Sequence, residues 1–178
     1  MKNVTLYLHL SKKNKLIDEN NFIILEEEKY SFRAVKNRLN KLNRLQSKGE
    51  KTSPSLLDFW CKSGYTFHIK FGDTMPKSNW KFWDNKNCQF PGMKGFPVAF
   101  NNPEISKHGN FDPKNITKAK KDSRKISFKY TGSDGNENNI LSCKYDLYVK
   151  NICKYGGHTY ETEFIIDPGT KNNGQNIP

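Results

Sequence analysis

Residues 4–10, VTLYLHL, and 65–71, YTFHIKF, alternate apolar and polar side chains. Successive side chains of a strand point to opposite faces, so a period of two describes strands with one face buried. Val4, Leu6, Leu8 and Leu10 share the inner face of the first segment; Tyr65, Phe67, Ile69 and Phe71 share that of the second. FIILEEE (22–28) opens with a short apolar run and suits a further strand. A chain built on such segments must pair them and cover their apolar faces, which points to layered β-structure.

Between residues 31 and 48 the period changes. In SFRAVKNRLNKLNRLQSK, Phe32, Val35, Leu39, Leu42 and Leu45 recur every three or four residues, the spacing of one helical stripe. Ser31 suits the N-cap, and Gly49 suits the C-terminal end. Arg33, Lys36, Arg38, Lys41, Arg44 and Lys48 occupy the other faces, with no acidic residue among them. The pattern predicts an amphipathic basic helix over 32–48, inserted among strands.

After residue 53 the alternation returns. SLLDFW (55–60) is short and apolar, and WKFW (80–83) is a compact aromatic strand. QFPGMKGFPVAFNNP (89–103) is a loop with short extended pieces, because Gly and Pro punctuate it. Residues 104–125 form a long polar connection. ISFKYT (126–131), ILSCKYDLYV (140–149) and HTYETEFII (158–166) predict an antiparallel meander. KNICKYGG would connect its last two strands, and Asp167-Pro168-Gly169 would end the final one. About seven strands and one helix predict a single mainly β domain over 1–170, with 171–178 as a flexible tail. The expected architecture is an antiparallel β-sandwich, immunoglobulin-like or cupredoxin-like.

The order GYTFHIKFGD, WKFW, a Gly/Pro loop with FPVAF, CKYDLYVK and TEFIIDPG resembles small cupredoxin-like sandwiches of bacterial proteins, over about residues 55–170. The resemblance bears on fold more than on function. Blue-copper members hold a Cys and a His in the loop between the last two strands, and an upstream His completes the site. The resemblance therefore implies Cys153 and His158 as copper candidates, with His68 upstream. A His₂Cys set with a weak axial Met suits copper. No Met follows Met93 in this chain, so the axial ligand is missing and no metal or other cofactor is expected.

Only 34% of residues are apolar, but 13% are aromatic, enough to fill a core. Cys61, Cys88, Cys143 and Cys153 contain no Cys-x-x-Cys pair, which excludes the common zinc and thioredoxin spacings. The N-terminal residues lack the apolar stretch of a signal peptide, and no run approaches the roughly 18 apolar residues of a membrane span. Four reduced thiols and these absences suit a cytoplasmic protein that does not engage a membrane. The formal net charge is +12, unevenly placed: +6 in residues 1–52, +7 in 53–125 and −1 in 126–178.

Two sets of residues are candidate sites. In strand alternation Trp80 and Phe82 share one face, which fits the core, while Lys81 and Trp83 share the other. Trp83 with Lys77, Lys81 and Lys86 would make a platform on which a base or sugar stacks. The second set is Arg33, Lys36, Arg38, Lys41 and Arg44 of the helix with Lys118, Lys120, Lys121, Arg124 and Lys125 of KNITKAKKDSRK. Such a surface neutralises phosphates and releases counterions, and it attracts an acidic protein equally well. A merely solvated face would carry the same residues. His9, His68, His108 and His158 are scattered and no nucleophile elbow is present, so no enzyme is expected. The expected role is binding of nucleic acid or an acidic protein. Small size and high charge also suit an inhibitor from a phage or mobile element. The alternatives are a cupredoxin-type redox protein or a sandwich that binds sugars or proteins.

Overall fold

The computed structural model describes residues 2–12, 17, 21–26, 30–48, 59–60, 63–76, 78–84, 95–101, 124–130, 141–166 and 169–172. The protein is mainly β, with two sheets and one helix. In chain order the elements are β1 (Asn3–Leu10), β2 (Phe22–Glu26), α1 (Phe32–Ser47), β3 (Phe59–Trp60) and β4 (Thr66–Phe71). Then come β5 (Trp80–Phe82), β6 (Val98–Asn101), β7 (Lys125–Lys129), β8 (Leu141–Tyr155), β9 (His158–Ile166) and β10 (Gly169–Asn172).

The first sheet has the order β2-β1-β4-β7. Its alternation works as the sequence requires. Val4, Leu6, Leu8 and Leu10 of β1, Phe67, Ile69 and Phe71 of β4, and Ile126 and Phe128 of β7 all turn inward and are buried. The second sheet is organised around β8. One side of β8 pairs with β9 and β10, in one continuous register, and the other with β5 and β6; β3 pairs with β10. The two inner faces share one core. Phe71 of β4 stacks on Phe82 of β5 at 4.2 Å, and Phe22 of β2 meets Trp80 and Phe164 edge-on at 5.8 and 5.5 Å. Such ring pairs contribute roughly 0.5–1.5 kcal/mol each beyond the area they bury.

The pairing departs from the expected antiparallel sandwich and from its C-terminal meander. β1 and β4 are parallel, as are β3 and β10. A parallel pair needs a crossover, and the chain between β2 and β4, which contains α1, supplies it. β7 joins β4 in the first sheet instead of β8 in the second. There Ile69 meets Ile126 in register, and Phe67 stacks on Phe128 at 5.6 Å. Finally, β8 runs on through residues 150–155, where a connection was expected. Only Gly156 and Gly157 turn the chain, with φ of 58° and 79°. Two positive-φ residues make the tight turn whose twist matches that of the strands. Pairing with β8 also resumes in β10 after the expected stop, so Lys171 and Asn172 belong to a strand and not to a tail. The end of β1 is pinned by Thr74, whose Oγ1 accepts from the Leu10 amide at 2.8 Å and lies 3.2 Å from His9 Nδ1. The buried His9 ring lies against Gly72, where any Cβ would overlap it.

Beyond Asn151, β8 pairs with β9 alone. The result is a two-stranded ribbon exposed on both faces, with Tyr155 81% and Tyr160 54% accessible. No helix among the described residues is long and apolar enough to cross a membrane.

Candidate nucleic-acid interface

Helix α1 starts where Ser31 Oγ accepts from the Ala34 amide at 3.3 Å, the N-cap bond that the sequence predicts. Its apolar stripe docks on the outer face of β2. Val35 is fully buried against Ile23 and Leu25, with Tyr30, Leu39 and Leu42 packed around them. This docking fixes which way the cations point. Arg33, Lys36, Arg38, Lys41, Arg44 and Lys48 are all exposed. The helix contains no acidic residue. Asn37, Asn40, Lys41, Arg44 and Lys48 line a shallow groove with Leu45. Those positions recur every three or four residues, so amides and cations share one ridge beside the apolar stripe.

The remaining candidate residues have different surroundings. Lys118, Lys120 and Lys121, like Lys77 and Lys86, lie outside the described residues. Arg124 points inward. Its guanidinium donates to the backbone carbonyls of Trp80 and of Met75 (3.2 Å for the latter) and sits 4.8 Å from the centre of the Phe71 ring. It thus ties the start of β7 to β5, and burial lowers its pKa. It is a clamp between sheets, not a free cation. Lys125, its neighbour, is exposed on the outer face of β7.

Trp80 and Phe82 fill the core and Trp83 lies on the other face, as alternation requires. Trp83 is half-buried, and its indole N–H donates to the Val149 carbonyl at 3.2 Å. Its ring meets Tyr148 edge-on, and Lys150 Nζ lies 5.3 Å from the ring centre. Lys81 pairs with Glu161 at 3.8 Å; Lys150 pairs with Glu161 at 2.9 Å and with Glu163 at 3.1 Å. The bond to Glu161 raises the Lys150 pKa, and the same bond lowers that of Glu161. The platform around Trp83 is therefore roofed by an ammonium group that two carboxylates already neutralise, so a stacking base would first have to displace it.

The three copper candidates do not converge. His68 lies on the outer face of β4, its Nδ1 2.7 Å from Ser127 Oγ on β7. Cys153 and His158 lie on the ribbon, in strands and not in a loop, and face Tyr160 and Tyr155 across it. Cys153 donates to Asn151 Oδ1 at 2.9 Å. Among the described residues no three His, Cys, Asp or Glu side chains gather where a metal could sit.

The structure adds two cations that sequence reading passed over. Lys70 and Lys129 share the outer face of the first sheet with Lys125, Lys70 directly opposite it in register and Lys129 four residues along β7. Their alternation was visible in TFHIKF and KISFK, but nothing in the sequence showed that β4 and β7 are neighbours. A scan against protein-family models and a search of curated proteins both give no match for this chain.

Proposed function

We propose that the protein binds nucleic acid through the exposed ridge of α1. The observation that carries this reading is an acid-free helical ridge on which the exposed Lys41, Arg44 and Lys48 alternate with the Asn37 and Asn40 amides. Cations at that spacing neutralise backbone phosphates, and amides among them donate to phosphate oxygens or base edges. The apolar side of the same helix is spent on docking, so the fold holds the ridge out without help from a partner. Arg33, Lys36 and Arg38 widen the field around it. Trp83, Lys81 and Arg124 have no part in this reading, because their groups are engaged within the protein.

The test is anisotropy of a labelled single strand and a labelled duplex at about 50 and about 300 mM salt. Binding that weakens steeply with salt is the expected result. Arg38→Glu with Lys41→Glu and Arg44→Glu should abolish it while leaving Tm nearly unchanged, since none of the three packs inward. Absence of binding at the lower salt overturns the reading. A second reading, contact with an acidic protein, draws on the ribbon, whose exposed Tyr155 and Tyr160 are the residue type that anchors protein interfaces.

A further inference from the structure

The outer face of the first sheet has two halves. α1 covers the half formed by β2. Beyond it, β1, β4 and β7 contain no acidic residue at all. Their outward positions carry Asn3, Thr5, Tyr7 and the buried His9 from β1, Thr66, His68 and Lys70 from β4, and Lys125, Ser127 and Lys129 from β7. Lys70 sits opposite Lys125 and Thr66 opposite Lys129. Among the described residues none of the three lysines makes an ion pair. Like charges placed directly across two strands are destabilising, so the arrangement costs the free protein stability.

His68 lies between them. Its pKa is lowered first by burial and then by Lys125 and Lys70. The placement itself is set by register: Lys70 and Lys125 are cross-strand partners two residues along from His68 and Ser127, on the same face of the sheet. Ser127 holds the ring by Nδ1, and its hydroxyl can accept or donate as the ring gains or loses a proton. Tyr7, Lys70, Lys125 and Lys129 are the titratable groups that face it from β1, β4 and β7.

We infer that this patch, Lys70 and Lys125 with Lys129 four residues further along β7, is a second phosphate-binding surface that engages the backbone of the same nucleic acid as α1. The inference rests on the reading proposed for the helix. Charge complementarity calls for a polyanion, and the reading of α1 makes it the same nucleic acid. Adjacent strands are about 4.8 Å apart, so the patch begins within three strand spacings of β2. A sugar–phosphate backbone, with phosphates several ångströms apart, can cross both surfaces.

The experiment uses the full chain and a labelled mixed-sequence duplex. Lys70→Thr with Lys125→Thr keeps strand-forming side chains and removes two charges. Affinity at low salt should fall roughly ten-fold, and the slope of log K against log salt should flatten by about 1.8, or about 0.9 for each lost contact. The variant should unfold at the same or a higher urea concentration than the parent. Acetylation of the unmodified protein, read by mass spectrometry with and without duplex, gives a test that needs no variant: Lys70, Lys125 and Lys129 should be protected. A parent that binds with steep salt dependence, while the double variant binds equally well and the three lysines stay reactive, overturns the second surface and leaves the helix reading standing. A parent that does not bind overturns both.

Discussion

Lys70 faces Lys125 across β4 and β7, and Lys81 faces Lys150 across β5 and β8. The same awkward pairing thus occurs in both sheets, and the two sheets treat it differently. In the second sheet β9 brings Glu161 and Glu163 alongside, and both lysines find a carboxylate. In the first sheet the flanking strand β1 brings Thr5 and Tyr7, and β1, β4 and β7 hold no acid. Among the described residues, Lys70 and Lys125 thus have no carboxylate beside them, which is the state that the proposed phosphate contact requires. The comparison also explains why Trp83 is a poorer candidate than α1: its surroundings are already neutral.

The largest expected effect separates two neighbouring cations. Arg124→Ala should destabilise the protein by roughly 2–4 kcal/mol, because it strips two carbonyls of a charged donor and removes a cation from the Phe71 ring. Lys125→Ala should leave the unfolding midpoint within about 0.5 kcal/mol of the parent. Equal losses from the two in urea denaturation would break the distinction between an inward clamp and an outward charge.

A smaller effect, opposite in sign, tests the bare pair. Lys70→Thr should stabilise the free protein by about 0.2–1 kcal/mol while weakening nucleic-acid binding. A loss of stability would mean that the Lys70 stem packs usefully and that the pair is not under strain.

In the second sheet, Glu161→Gln with Glu163→Gln should lower Tm at neutral pH and leave duplex affinity unchanged. The pH dependence has a defined sign. Glu161 has a lowered pKa in the folded state, so its contribution is present above the ordinary carboxylate range and is lost as pH falls through the lowered value. The parent should therefore lose stability on acidification that the double variant does not have to lose.

The subtlest effect belongs to His68. Its lowered pKa means that it stabilises the free fold above its ordinary value of about 6.5, and that this contribution fades as pH falls. Burial, the largest cause, persists on binding, but phosphates beside Lys70 and Lys125 offset the two lysine contributions and favour the protonated ring. Duplex affinity should rise a few-fold as pH drops from about 8 to about 6, and His68→Gln should flatten that rise. A pH-independent affinity in the parent would separate His68 from the bound phosphates.

Much of this was legible in residue order. The alternation of VTLYLHL and TFHIKF put the right side chains in the core, and the change to helical spacing at Phe32 located α1 to within a residue at either end. The cations of the helix were read correctly as exposed, because an amphipathic stripe leaves them nowhere else to go. What misled was punctuation. Residues 150–155 pair with β9 as part of β8, and Ile166 and Gly169 on either side of Asp167-Pro168 pair with β8 in one register, because long-range hydrogen bonding to a continuous partner outweighs local preference. Gly156-Gly157 was the better signal, since two adjacent glycines supply the positive φ of a two-residue hairpin.

By itself, then, the sequence determined local period, the faces of strands and helix, and the sum and regional bias of charge, because these depend on residues close together in the chain. The tertiary structure decided which charges count. Arg124 and Lys125 are adjacent in sequence, but one is clamped between sheets and the other stands on the surface. Lys70 and Lys125 are 55 residues apart and meet in register. Whether a lysine finds a glutamate is a matter of strand order, and strand order is set by how two apolar faces close over one core.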